Sequence, residues 1–306
     1  MADLQVRVAR PPGPATQIDL AALAAVRADD PEAVARAWQQ RQRRSFTGPD
    51  QRLLIVAADH SARGALSAGE VSNAMGDRGE VLRRLSLALA NPAVDGVLAA
   101  PDLLDDLVLC GLLENRLAIG SVNRGGLPAT VFEIDDRLTG TTEASAQASG
   151  LDGAKLLLRI DRDDQATASA LERAAVWVSA FAAAGIPVIV EPFLSRRSDG
   201  RLVNDLSTQA VLESAVIAAA LGETSAYTWL KLPVVPDFAA VARATSQPIV
   251  LLGGEVDDDV AGQQLAWAEA LREPTVRGLM VGRSLLFPPD DDVAAAVAAA
   301  AGLVGR

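Results

Sequence analysis

Cysteine and histidine are nearly missing: Cys110 and His60 are the single examples of each in 306 residues. A lone cysteine makes no disulfide within the chain and no Cys-x-x-Cys zinc site. A lone histidine rules out a three-histidine zinc centre or a histidine-rich two-metal site within one chain. The carboxylates show no clustered motif of ligand spacing either, so neither a metal nor another cofactor is expected, and a reducing cytoplasm is the expected compartment. Long apolar runs are also missing. No stretch reaches 18 residues and Met1 to Arg10 has no apolar core, so neither a membrane span nor a secretory signal is expected. Positive charge is in deficit, with 28 Lys and Arg against 39 Asp and Glu, a net charge of −11. That balance argues against nucleic acid and anionic membranes as partners. It leaves room for an anionic small molecule, because a few arginines can dominate one cleft.

Lysine is the scarcest basic residue. Only Lys155 and Lys231 occur, against 26 arginines. A chain that supplies its surface charge as arginine makes the two remaining lysines candidates for amine chemistry. Chance retention would give the same count, so their placement has to decide.

What is present is enough for a large core: half the residues are apolar and 22% are charged, which excludes wholesale disorder. Residues 1–50 read as an N-terminal helical extension. Arg10-Pro-Pro-Gly-Pro14 is unfit for regular structure, and two short helices are expected on either side of Asp30-Pro31. The arginines between Arg41 and Arg44 read as a solvated helix end. From Leu53 onward, short apolar runs suited to buried parallel strands recur: Leu53–Ala58, Gly96–Ala99, Leu117–Val122, Ala154–Ile160, Pro187–Val190, Thr228–Leu232, Ile249–Leu252 and Gly278–Val281. Helical patterns separate them. From Asp59 to Arg283, 224 residues in seven steps average 32 per unit, which fits a βαβ repeat of about 30 residues. The expected fold is therefore α/β, a (β/α)₈ TIM barrel over residues 51–306. A doubly wound open sheet ranks second, since no Gly-x-Gly-x-x-Gly follows the first strand.

Barrel chemistry sits at the C-terminal ends of strands, and both lysines fall there. Lys231 lies in Trp229-Leu-Lys-Leu-Pro233, where alternation puts Trp229, Lys231 and Pro233 on one face. Burial and a neighbouring cation would favour its neutral, nucleophilic amine, with Lys155 and Arg159 as sources of that field. Glu191 closes the fifth strand and suits proton transfer; a plain Lys231–Glu191 ion pair is the alternative. Asp59 and His60 close the first strand, where Asp59 can hold a substrate hydroxyl or pair with a lysine and His60 reads as a structural or rim residue. Gly253-Gly254 and Gly282-Arg283 close the seventh and eighth strands, where barrels commonly bind phosphate.

Together, Ala57-Ala-Asp-His60, Gly153-Ala-Lys-Leu-Leu157, Val190-Glu191-Pro192, Trp229-Leu-Lys-Leu-Pro-Val234, Leu252-Gly-Gly254 and Val281-Gly-Arg283 resemble the class I, Schiff-base aldolases of the deoxyribose-phosphate aldolase and tagatose-bisphosphate aldolase superfamily. The resemblance covers about residues 50–290 and rests on the order and spacing of short motifs. It implies Lys231 as the Schiff-base lysine, Glu191 as the proton-transfer group, Lys155 as an auxiliary lysine and Asp59 as the strand-one acid. Arg283 with the backbone near Gly253, Gly254 and Gly282 would clamp phosphate, and Arg159 would face the substrate. One departure is Gly253-Gly254, where tagatose-type relatives tend to carry a small hydroxyl residue. The implied activity is that of an aldehyde-lyase, a metal-independent aldolase acting on a phosphorylated sugar or keto acid. Candidate substrates are 6-phospho-5-dehydro-2-deoxygluconate of inositol catabolism, a ketose (bis)phosphate or a sulfosugar phosphate. Arg196, Arg197 or Arg124 would meet a carboxylate, and the loop Phe193 to Asp205 is a place for a lid. A homo-oligomer is implied. Two alternatives remain: a barrel thiolase or transferase using the same lysine, and a non-catalytic sugar-phosphate-binding barrel.

Overall fold

A computed structural model of the chain describes residues 18–46, 52–124, 126–254, 256 and 259–306. The Arg10–Pro14 segment lies outside the described residues. Eight parallel strands close into a barrel: β1 (Leu53–Ala57), β2 (Gly96–Ala99), β3 (Leu117–Ser121), β4 (Gly153–Ile160), β5 (Val188–Ser198), β7 (Thr228–Leu232), β8 (Ile249–Leu252) and β9 (Val276–Val281). The short β6 (Arg201–Asn204) is not a barrel strand; it pairs antiparallel with the end of β5. Around the barrel the order is β1, β2, β3, β4, β5, β7, β8 and β9, with β9 returning to β1. Helices α3 (Arg78–Ala90), α4 (Pro101–Leu109), α5 (Glu143–Ser149), α6 (Ala166–Ala183), α7 (Thr208–Ala219), α8 (Phe238–Arg243), α9 (Val260–Ala270) and α11 (Val293–Leu303) cover the outside, and a short α10 (Arg283–Leu286) follows β9. None of the described helices is long and apolar enough to cross a membrane.

Alternation along each strand sorts side chains between two cores. Leu54, Val56, Leu156, Leu158, Val188, Val190, Leu230 and Leu232 pack outward with the helices. Leu53, Ile55, Ala57, Leu98, Leu117, Ile119, Ile189, Val250 and Met280 fill the interior. The same alternation points Asp59, Lys155, Glu191 and Lys231 inward, one layer above that filling.

The fifth strand runs further than its apolar sequence suggests. The segment expected as a loop from Phe193 is a hairpin, with Ser195 opposite Asn204 and Ser198 opposite Arg201. Its turn is Asp199-Gly200, both with positive φ (50° and 74°), as a tight two-residue hairpin turn demands.

Helices α1 (Leu20–Asp29) and α2 (Glu32–Gln40) precede the barrel, split at Asp30-Pro31 as the sequence indicates. Asp19 caps α1, its carboxylate accepting from the amides of Ala21 and Ala22. The arginine cluster that follows is not a solvated helix end. Arg41 is buried, donating to the carbonyls of Arg116 (2.8 Å) and Gly150 (2.6 Å) and pairing with Asp152 at 3.0 Å. Arg43 takes the other Asp152 oxygen at 3.0 Å, and Arg44 pairs with Asp95. These carboxylates also accept from the amides of Ala118 and Leu54. A buried guanidinium without partners is expensive, so the Asp95 and Asp152 carboxylates account for the position of this segment across the N-terminal end of the barrel.

Candidate active site

Four ionisable side chains form one chain of contacts inside the barrel mouth. Lys155 Nζ lies 2.8 Å from Asp59 Oδ2 and 2.5 Å from Glu191 Oε2, and Lys231 Nζ lies 3.0 Å from Glu191 Oε1. All four are buried, the lysine side chains 2% and 5% exposed. The topology explains the order: β5 lies between β4 and β7, so Glu191 stands between the two lysines and contacts both. Lys155 and Lys231 belong to strands that are not neighbours, and among the described residues Glu191 is the carboxylate that joins them.

The two lysines differ electrostatically. Burial dominates at Lys231 and, with the Lys155 charge, pushes its pKa below the usual lysine value despite the opposing pull of Glu191. Burial also works against the Lys155 ammonium, but Asp59 and Glu191 outweigh it and raise that pKa. Lys155 is therefore the fixed cation and Lys231 the amine more easily freed of its proton. Burial opposes ionisation of Asp59 and Glu191, yet the same two cations outweigh it and hold both well below the usual carboxylate range. Both carboxylates are ionised at neutral pH. Of the two expected sources of field on Lys231, Lys155 is among the largest influences; Arg159, farther along β4, pairs with Glu133 at 3.3 Å.

His60 is buried, which lowers its pKa to about 3, with Arg63, Arg283 and Lys231 adding to the shift against Asp59. It is a neutral wall of the mouth. Its Nδ1 is 3.9 Å from Asp59, too far for a hydrogen bond, and has no hydrogen-bond partner among the described residues. Asn123, just after β3, is structural, donating to the Leu157 carbonyl at 2.7 Å and accepting from its amide at 2.9 Å.

The glycines expected at the anion site are spatially required. A Cβ at Gly253 would stand 2.5 Å from Val281 Cγ1, and one at Gly282 would stand 2.4 Å from the Ala57 carbonyl. Gly254 has φ 71°, where a side chain is strained. Arg283 is buried between these turns and donates to the Ser67 carbonyl of the loop after β1 at 3.4 Å. Two residues here escape a reading of the sequence. Ser284 Oγ is buried without a hydrogen-bond partner among the described residues and lies 3.0 Å from the Cβ position of Gly253. The hydroxyl absent from the Gly253-Gly254 turn thus stands beside it, supplied from the neighbouring strand end. Arg63 sits in the 3₁₀ turn Ser61–Arg63 directly after Asp59-His60. Its charge acts on Asp59, His60, Lys155 and Arg159. Its place in the loop after the first strand, where barrels line their mouths, is the available signal. The arginines expected from sequence to meet a carboxylate, Arg124, Arg196 and Arg197, are exposed.

The fold is a closed (β/α)₈ barrel with buried charged residues at its C-terminal mouth. Its sequence matches the model of the Cgl0159-like family over residues 51–301, and the chain belongs to that family. The crystal structure of Cgl0159 from Corynebacterium glutamicum is 50% identical, covering 93% of this chain and 96% of that one with a TM-score of 0.90. A Schiff-base-forming fructose-1,6-bisphosphate aldolase superposes at 18% identity over 89% of this chain and 99% of its own, TM-score 0.60. An archaeal fructose-1,6-bisphosphate aldolase, whose catalytic lysine was captured as a covalent carbinolamine, gives 17%, 89%, 99% and 0.62. At such identities the two aldolases attest the fold alone. Comparison with curated proteins yields no match.

Proposed function

We propose that the protein is a class I aldolase that makes or breaks a C–C bond in a phosphorylated ketose or keto-acid substrate through an imine on Lys231. The observation that carries the reading is the asymmetric pair of buried lysines on Glu191, one held charged by two carboxylates and the other pushed toward the free amine. In the cleavage direction the Lys231 amine adds to the substrate ketone and water leaves, giving an iminium. The C–C bond then breaks, its electron pair passing to the iminium to form an enamine. Glu191, ionised and in contact with Lys231, is the base for the substrate hydroxyl proton. The proton returns to the enamine carbon, and water hydrolyses the imine. Lys155 stays protonated throughout, lowering the proton affinity of Lys231, while Asp59 holds Lys155.

The phosphate falls to Arg283, Ser284 and the Gly253-Gly254 and Gly282 turns, remote from the reacting carbon, where binding energy is available to orient the substrate. Arg63, with Arg159 beside it, is the cation for a second anionic group. A doubly anionic substrate, such as a ketose bisphosphate or 6-phospho-5-dehydro-2-deoxygluconate, matches this arrangement.

Incubation with a panel of ketose mono- and bisphosphates and phosphorylated keto acids tests the reading. One of them is cleaved to an aldehyde and a ketone, and turnover survives exhaustive EDTA treatment because the iminium accepts the electrons. Loss of turnover with EDTA, restored by zinc or cobalt, would remove the imine route. Arg283→Ala is expected to weaken the phosphorylated substrate by about 1.5–3 kcal/mol in kcat/KM, the range for a hydrogen bond to a charged group, and to spare an unphosphorylated analogue. Arg63→Ala should penalise only substrates with a second anionic group. Equal losses for all substrates would make either arginine structural.

A further inference from the structure

The floor of the barrel beneath the lysines is closed by a side chain from outside the barrel. On β4 the inward position below Lys155 is Gly153, and on β7 the one below Lys231 is Trp229. Phe46 occupies the space between them. Its Cε2 lies 3.2 Å from where a Cβ at Gly153 would stand. Its ring meets Trp229 edge-on, with centroids 5.3 Å apart and planes at 75°. Both rings pack against the interior cluster of the barrel. The backbone leading to Phe46 is pinned by Arg41 and Arg43 on Asp152 and by Arg44 on Asp95. It is held further where the Gln42 amide donates to Glu114 at 2.9 Å and the Asn115 amide to the Gln42 carbonyl at 2.8 Å.

That much anchoring holds one aromatic ring directly below both lysine-bearing strands. We propose that Phe46 is a positioning residue for the reaction: it seals the N-terminal floor under Gly153 and Trp229, braces Trp229 beneath Lys231, and keeps water from reaching the Lys231 amine from below. The inference rests on the imine reading above. Lys231 is faced by Glu191 at 3.0 Å from β5, by Lys155 from β4 and by Asp59 from the end of β1, with His60 beside Asp59. β8, its other neighbour, contributes apolar Val250. Among these, Glu191 and Asp59 favour the ammonium and only Lys155 opposes it. Exclusion of water therefore decides whether a nucleophilic amine is available near neutral pH, and the floor is the side of that exclusion which Phe46 closes.

The test uses the full chain as wild type, Phe46→Ala and Phe46→Leu. It follows the initial rate of adduct formation on Lys231, trapped with borohydride and dihydroxyacetone phosphate as the probe, across neutral to alkaline pH. For Phe46→Ala the midpoint of the pH profile moves up by about one pH unit, so trapping at neutral pH falls about tenfold while the alkaline plateau is retained. Phe46→Leu, which refills most of the space, stays within about twofold of wild type. A lower Tm with an unchanged midpoint marks Phe46 as a packing residue only and overturns the inference. If Phe46→Ala does not fold, Phe46→Leu and Phe46→Val replace it, and their midpoints must rise in step with the volume removed; a constant midpoint overturns the inference equally. A wild type that traps no adduct on Lys231 either with this probe or with a substrate it demonstrably cleaves sinks the imine reading itself, so the two failures are distinguishable.

Discussion

Lys231→Arg loses turnover to background, a fall on the order of 10⁵–10⁶-fold, the scale seen when a covalent nucleophile is removed. The substitution keeps the positive charge and a donor for Glu191, so the Glu191 ion pair can be retained. What it removes is the option of neutrality: a guanidinium stays protonated at any working pH, whereas burial and Lys155 push the Lys231 ammonium toward release of its proton. Steady-state kinetics on the best substrate of the panel, with a Tm beside it, provides the measurement. A Lys231→Arg variant of unchanged stability that kept even about a hundredth of wild-type kcat, far above the loss expected for a missing nucleophile, would show that no imine forms at this position.

Glu191→Gln is expected to separate imine formation from cleavage. The amide still contacts both lysines but carries no charge and takes no proton. Cleavage then falls by roughly 10²–10⁴-fold, as expected for loss of a general base. Trapping behaves differently. Glu191 is the strongest influence holding the Lys231 proton in place, so without it the neutral amine is more abundant at a given pH and the trapping profile moves to lower pH. The variant also leaves the two buried lysines with Asp59 as the remaining carboxylate among the largest influences on both, at a stability cost of about 3–5 kcal/mol by the precedent of broken buried pairs. Tm and the trapping profile are therefore read together. Parallel loss of trapping and cleavage would make Glu191 an orienting residue for Lys231 and not the base.

The barrel itself is legible because a residue period of two and a unit of about 30 residues are local properties of sequence. The inward aim of Lys155, Glu191 and Lys231 follows from the same alternation. Partnership follows only in part: the sequence allows Asp59 a lysine and Lys231 the Glu191 carboxylate, but Lys155 and Asp59 are 96 residues apart in the chain, and nothing local tells which lysine Asp59 takes or that Lys155 also contacts Glu191. The β5–β6 hairpin reads as a loop because arginines surround its turn, although Asp199-Gly200 is itself a strong hairpin signal. Arg41 misleads for a related physical reason. An arginine beside a helix end is usually solvated, and only the fold brings Asp152 within 3.0 Å of it. Short α10 gives no signal because four residues between a strand and Pro288-Pro289 show no helical period.

Reduction with borohydride in the presence of each cleaved substrate, followed by peptide mass spectrometry, tests the central claim most directly. One covalent modification per chain is expected, on the peptide carrying Lys231, with the mass of the reduced ketone fragment. Lys155→Arg should slow its formation without abolishing it, because that variant keeps the fixed cation beside Glu191. An adduct on Lys155 would reverse the roles of the two lysines, and the absence of any adduct with a substrate the protein demonstrably cleaves would contradict the imine mechanism.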